Sequence, residues 1–442
     1  MQNRTSLIAV ESKWHSTSLS DVEVDTFREL GRKLANNSHA ESTDDEEIGD
    51  LVDEEGVKTW IRCSRSSSKS PWKIYVPDAI GVIASGTTDI VVNPKIDFKH
   101  FMHIARRSIG SPQTSSTEVF TDSSFDFWEV LANWYVSRLE ELLKLDLYKD
   151  YQSQTGDLQF VRGSINPVAS TTNWFTGIPL MNCNYEDFIT DNSLNRTLLE
   201  SLQRICFSRF ISNNSLKQRA RLASHRFAGI SQFKESDLDW SPDRSSEVWQ
   251  TTFDLACRII RATGQSIALG NSSGQSFLLR TPSIIEDGIR EILSHHLSVL
   301  VNVSKRPKTL IPETLSANPD LVLDPSSESI RPPTVLLDDG FIVGDVKYKK
   351  SDGKWYRPDL SQLVFFASSY ESKAGFLVNF ASEIQLIKNF DAEIGNVPYR
   401  MISWDTNLVD PAEAEAKFVD EVRKWISKIL SSETQLSIKV AV

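Results

Sequence analysis

Apolar and polar positions follow three different rhythms along the chain. Between Trp72 and Ile96 (WKIYVPDAIGVIASGTTDIVVNPKI), short β-branched runs are broken by Gly, Asp and Pro, which predicts two or three strands joined by tight turns. From Phe127 the rhythm becomes helical: Trp128, Leu131, Tyr135, Leu139, Leu142 and Leu143 recur at three- and four-residue intervals. Further helical stretches follow at 195–208 and 247–262, so that 127–265 reads as mainly helical, with a β-like interruption at 158–165. The last third alternates. A helix over about 283–301 precedes strand-like segments at 319–324, 334–337 and 341–348, then a helix at 359–370, a strand at 374–379 and a terminal helix at 412–430. That order is the layout of an α/β domain built around a central sheet.

The intervening segments set the boundaries. Residues 107–126 (RSIGSPQTSSTEVFTDSSFD) are Ser/Thr-rich with almost no apolar periodicity and read as a linker. The dense acidic stretch 38–55 (SHAESTDDEEIGDLVDEE) reads as a solvated loop or arm. A multidomain α/β protein is therefore expected: a β-rich N-terminal region (1–106), a linker (107–126), a helical middle region (127–265) and a C-terminal α/β domain (266–442).

Composition changes this picture in only a few places. The 442 residues are 40% hydrophobic and 24% charged, as in ordinary globular chains. No apolar run approaches the ~20 residues of a membrane helix, and the first residues lack the apolar length of a secretory signal, so a cytoplasmic location and no membrane partner are expected. Cys63, Cys183, Cys206 and Cys257 form neither a C-x-x-C pair nor a disulfide-like spacing, and buried free thiols are expected. The formal net charge of −11 argues against a protein that coats nucleic acid, because phosphate contacts favour basic surfaces. It leaves room for a local DNA-binding patch, or for a partner that holds the DNA.

Candidate chemistry concentrates near Pro319-Asp320 and, 25 positions after that Asp, Asp345-Val346-Lys347. Side chains alternate faces along a strand, so Asp345 and Lys347 share one face while Val346 and Ile342 share the other. An Asp and a Lys on one face of an otherwise apolar strand are costly unless solvated or used. If strand 319–324 lies beside strand 341–348, Asp320 joins them. Clustered carboxylates resist ionising together unless a cation relieves the repulsion, and all-oxygen ligation suits Mg²⁺ or Mn²⁺. Such an ion with a nearby lysine is what phosphodiester hydrolysis requires. Each piece also has a plain reading: Pro-Asp is a common turn, and D-x-K is frequent on edge strands. Glu286 is a third candidate ligand, although Ser283-x-x-Glu286 matches a helix capping box. Gln362 could bond a water or the DNA backbone, or simply face solvent. Lys305, Arg306, Lys308, Lys349, Lys350, Lys354 and Arg357 place positive charge around the motif. His295-His296 sits mid-helix with side chains about 100° apart, which disfavours a shared metal. No phosphate-binding G-x-x-x-x-G-K-[ST] occurs; Gly270 to Ser276 lacks the lysine and reads as a flexible loop, so no nucleotide is expected on this chain.

Taken together in order, these segments resemble the McrC family, the nuclease subunits of McrBC-type modification-dependent restriction systems. Glu286, Pro319-Asp320, Asp345-Val346-Lys347-Tyr348-Lys349 and Gln362 resemble that family's PD-(D/E)xK core. GVIASGTTDIVVNPKI resembles its N-terminal β segment, LQFVRGSI its Arg-Gly signature at Arg162-Gly163, and MNCNYEDFITDNSLNRTLLESL the stretch before its central helices. Phe366 stands where related nucleases often carry Tyr, and the acidic stretch 38–55 has no counterpart. The resemblance implies a restriction-endonuclease-like C-terminal domain, with Asp320 and Asp345 holding Mg²⁺, Glu286 completing the metal shell, Lys347 positioning water and Gln362 in support. It also implies double-stranded DNA as substrate and a McrB-like AAA+ GTPase hexamer as partner, with the N-terminal half of the chain entering the ring and stimulating GTP hydrolysis. Two alternatives stay open: a non-catalytic activator of the motor, and a stand-alone repair nuclease.

Overall fold

The computed structural model describes residues 5–37, 56–67, 70–85, 88–108, 124–243, 246–263, 267–269, 272–274, 276–312, 314–325, 340–351, 353–381 and 390–440. The acidic stretch 38–55 and the strand expected at 334–337 lie outside them. So does most of the expected linker: Arg107 and Ser108 end the helix Phe98–Ser108, and residues 124–126 open the helix Ser124–Leu142.

Two compact units emerge, Met1–Phe127 with Gly264–Val442, and Trp128–Thr263. The segments 1–106 and 266–442, separate in the sequence reading, thus share one unit, and almost all of 127–265 makes the other. Strand pairing explains the sharing. A four-stranded sheet runs in the order Thr5–Val10, Thr88–Asn93, Ala79–Ser85, Phe277–Arg280. Its last strand comes from beyond the middle unit and pairs antiparallel with Ala79–Ser85. The fit there is close: Gly81 has φ +145°, and a Cβ at this position would fall 2.1 Å from the Phe277 carbonyl oxygen. Beside it, Trp72–Tyr75 forms the centre of a three-stranded sheet with Trp14–Thr17 and Arg62–Ser64. The helix Asp21–Asn37 buries Val24, Phe27 and Leu30 in a core that includes Ile61, Ile74 and Ile83. Where two or three strands were expected between Trp72 and Ile96, three are present, and they divide between these two sheets.

The same unit holds a six-stranded mixed sheet in the order Asn302–Ser304, Leu321–Asp324, Ile342–Lys350, Ala374–Ala381, Val397–Asp405, Phe390–Ile394. Ile342–Lys350, Ala374–Ala381 and Val397–Asp405 run parallel. Every residue of Ala374–Ala381 is buried, as expected of a parallel strand covered on both faces. The helix Arg357–Ser369 makes the crossover between the first two and packs Leu363, Phe366 and Ala367 onto Val343, Leu377, Tyr399 and Met401. Trp404, of opposite parity to Tyr399 and Met401, meets Phe418 of the helix Pro411–Val440 at 5.5 Å between ring centroids.

The helices Phe98–Ser108 and Thr281–Leu297 pack closely at Gly288, where a Cβ would lie 2.4 Å from the Ile104 carbonyl oxygen. Gly288→Ala is therefore expected to destabilise the protein by about 1–3 kcal/mol. Urea denaturation checks this, and an unchanged midpoint would show that the two helices separate at no cost.

The middle unit carries the helices Ser193–Phe207 and Gln250–Ala262, where helical periodicity was read, and a further helix Asn214–Ser224. The β-like interruption proves larger than expected. Asp150–Leu158, Met181–Ile189 and Ser164–Ile165 form a three-stranded antiparallel sheet. Its strands are rich in Asp, Asn, Gln and Glu, and that polar content hid the alternation. Residues 272–274, read as loop, pair with 267–269 as short strands.

Candidate active site

The motif strand Ile342–Lys350 places its chemistry by simple alternation. Asp345 and Lys347 lie on one face, with Lys347 Nζ 3.2 Å from Asp345 Oδ2. The neighbouring strand Leu321–Asp324 runs antiparallel, Leu321 opposite Gly344. That register brings Asp320, one residue before the strand, alongside the motif: its Oδ2 accepts a 2.8 Å hydrogen bond from the Val346 N–H. Lys347 in turn donates to Gln362 Oε1 at 2.7 Å, reaching the crossover helix. Past Val346 the pairing with Ala374–Ala381 slips, so that Val346 faces Val378 and Lys350 faces Phe380. Lys347 thus lies where the ladder is irregular, and side-chain contacts hold it there.

Asp320, Asp345 and Lys347 are each at least nine-tenths buried. Burial, reinforced by the Glu286 charge, pushes the Asp320 carboxyl up to about 7, against the lowering effects of the Val346 N–H, Lys305 and Asp345. Burial and the Asp320 carboxylate hold Asp345 well above the usual carboxylate range, although Lys347 opposes them. These two acids cannot both ionise cheaply without a further cation.

Glu286, the third expected ligand, acts on the Asp320 carboxyl through its charge, and its Oε2 lies 4.0 Å from Lys305 Nζ. The capping-box reading is corrected. The helix starts at Thr281 with Arg280 as N-cap and no side-chain cap, which puts Ser283 inside the first turn. The strand Phe277–Arg280 runs directly into the helix, and a proline early in the helix suits that entry.

Among the described residues, no group of three or more His, Cys, Asp or Glu side chains is arranged as a metal centre. The two-carboxylate pair still suits a hard cation. Asp345 Oδ2 is buried and has no partner in hydrogen-bonding geometry, the Lys347 ammonium being close but not aligned. An oxygen left in that state has unused capacity for a ligand.

Several interacting residues carry no linear signal. Glu11, fully buried, accepts from Thr281 Oγ1 at 2.5 Å and from the Lys95 N–H at 3.1 Å. The Lys95 ammonium binds Asp78 at 2.6 Å and lies 4.5 Å from the centre of the Tyr348 ring. The N-terminal sheet thereby grips the motif strand one residue beyond Lys347. Lys95, Asp78 and Tyr348 stood in segments singled out from the sequence, but their meeting with Glu11 and Thr281 depends on long-range closure.

A family model described as the McrBC 5-methylcytosine restriction system component matches residues 74–379. The chain belongs to that family. This McrBC-family chain is also similar in fold to a chain in the refined half-complex from a tetradecameric assembly of Thermococcus gammatolerans McrB AAA+ hexamers with bound McrC. The identity is 14% and the TM-score 0.52, over 95% of this chain and 100% of that one. A chain of the cryo-EM structure of the Thermococcus gammatolerans McrBC complex aligns at 13% identity and a TM-score of 0.43, over 66% of this chain and 88% of that one. No curated protein sequence matches. Among the described residues, no helix is long and apolar enough to cross a membrane.

Proposed function

We propose that this McrBC-family chain is the Mg²⁺-dependent endonuclease subunit of a restriction complex, cutting double-stranded DNA through a PD-(D/E)xK site. The observation that carries the proposal is the meeting of Asp320, Asp345, Lys347 and Gln362 from two strands and a helix. Bound between Asp320 and Asp345, a divalent cation would polarise a phosphoryl oxygen and acidify a water. Lys347, held between Asp345 and Gln362, puts an ammonium where negative charge develops on the phosphoryl group. Gln362 accepts a hydrogen bond from that lysine and helps to hold its ammonium in place. The Val346 N–H fixes the Asp320 carboxylate, so little reorganisation is needed when a cation arrives.

The proposed partner is an McrB-like AAA+ GTPase hexamer. The small sheet of the middle unit supports a docking role, because Phe160, Trp174 and Phe175 around it are 82%, 66% and 88% exposed. Exposed aromatics are a cost to a free surface and a gain in an interface. Phe160→Ser with Phe175→Ser is expected to cut stimulation of the partner's GTPase by at least about ten-fold, one or two interface anchors being worth that much. Thermal stability should stay unchanged, since neither ring is buried. Undiminished stimulation would place the contact elsewhere.

The direct test incubates the chain with its partner, GTP, Mg²⁺ and DNA bearing 5-methylcytosine. Cleavage should require Mg²⁺ and disappear with EDTA or Lys347→Ala. Cleavage that persists with the metal chelated would overturn the assignment. GTPase stimulation by a wild-type chain that never cuts would make it an activator instead.

A further inference from the structure

A cavity of about 640 Å³ opens beside the catalytic lysine, at the carboxyl ends of the parallel strands Ile342–Lys350 and Ala374–Ala381. Ligands of open α/β sheets characteristically bind at this edge. Its wall carries Lys347, Lys349, Lys350 and Lys354. Among the described residues, Asp359 is the carboxylate lining it, and it is engaged by Lys349 at 3.1 Å. Among the described residues, Lys349 meets Asp359 and Lys347 meets Asp345, which leaves the four ammonium groups in local excess on a chain whose net charge is −11. Like charges gathered this way repel unless an anion occupies the space between them.

Two aromatic rings share the wall. Trp355 is half-buried against the core below, while Tyr356 is 61% exposed, with the Lys349 ammonium 5.4 Å from its ring centre. Tyr356 is also the N-cap of the helix Arg357–Ser369, and its side chain makes no capping hydrogen bond. Lysines supply the contacts a phosphodiester backbone needs, and an exposed ring supplies a face for a base. A cavity of this volume exceeds one inorganic phosphate several-fold and suits a nucleotide or two.

Resting on the nuclease reading above, we infer that this cavity is a subsite for single-stranded DNA flanking the scissile phosphate. The strand stacks a base on Tyr356 and lays its phosphates on Lys350 and Lys354, with Lys347 shared between the subsite and the reaction centre. The subsite gives an acidic protein a local grip on one strand, and it holds a nucleotide that has left the duplex stack.

The test uses the full chain carrying Asp345→Asn, so that nothing is cut, and the probe is fluorescently labelled thymidine trinucleotide. Inorganic phosphate and thymidine monophosphate serve as competitors. The trinucleotide is expected to bind at least ten-fold more tightly than either. Tyr356→Ala should weaken it about ten-fold, and Lys350→Ala with Lys354→Ala should flatten its salt dependence. In the cleaving chain, Tyr356→Ala should lower kcat/KM for DNA about ten-fold, with rescue by Tyr356→Phe, which keeps the stacking face. Equal affinity for phosphate and trinucleotide, or indifference to Tyr356→Ala, overturns the subsite. Trinucleotide binding by a chain whose wild type never cuts DNA sinks the nuclease reading and leaves the subsite standing.

Discussion

Asp345→Asn is expected to lower DNA cleavage by about 10³-fold or more, and also to abolish the stabilisation of the folded chain by Mg²⁺. The two effects have one origin. Asp345 is 3% exposed, and burial together with Asp320 makes its ionised form costly. The Asp320 carboxyl, raised from 3.8 to about 7, binds its proton more tightly in the folded chain than in the unfolded one. As pH rises from about 4 to about 7 the unfolded chain releases that proton first, so the metal-free protein loses stability across this window. A cation at the pair replaces the proton. Mg²⁺ should therefore raise the Tm of the wild type more at pH 8 than at pH 6, following the free-ligand relation. Asparagine keeps the shape of Asp345 but removes the charge that a cation needs. Thermal scans with and without Mg²⁺ at the two pH values read this directly. A Mg²⁺-induced Tm shift that survives Asp345→Asn would mean that the ion binds elsewhere.

Glu415→Ala should destabilise the fold by about 2–3 kcal/mol near neutral pH, because it strips one carboxylate from three basic partners. His103 and His296 bond Glu415 through Nε2 at 2.5 and 2.7 Å, and Arg107 does so at 3.1 Å. These partners come from two other helices, Phe98–Ser108 and Thr281–Leu297, so Glu415 ties three helices together. Burial alone would raise this carboxyl, but the hydrogen bonds from His103 and His296 and the charge of Arg107 outweigh it and hold it at about 2. Its contribution is therefore complete above the unfolded value of 4.5 and fades as pH falls toward 2. The gap in urea midpoint between wild type and variant should be widest at pH 6–7 and narrow steadily below about pH 4. A gap independent of pH would show that Glu415 acts through packing alone.

Much of the motif strand was legible in the sequence. Asp345 and Lys347 had to share a face because strand side chains alternate, and the structure sets them 3.2 Å apart. The helix Ser124–Leu142 was legible from periods of three and four in its apolar residues, and the helices Ser193–Phe207 and Arg357–Ser369 lie where 195–208 and 359–370 were read as helical. Burying that stripe is what drives such segments to fold. Other features could not be read this way. The sheet at 150–189 was hidden by polar strands, because an exposed sheet lacks the apolar alternation that marks a buried one.

Tertiary structure decided which of these faces meet. Asp320 joins the site only because Leu321 pairs with Gly344, and a slip of one residue would turn it away. The helix carrying Glu286 begins two residues before its apparent cap, and the side chain lies by Lys305 while its charge acts on Asp320. Phe277–Arg280 returned to the first sheet and merged regions that composition had kept apart. Glu415 found His103 across 312 positions. Periodicity records which side of an element is apolar, a property of neighbours a few residues apart. Which sides come together is set by strand register and long-range closure, whose free energy is shared among residues too distant for any local pattern to register.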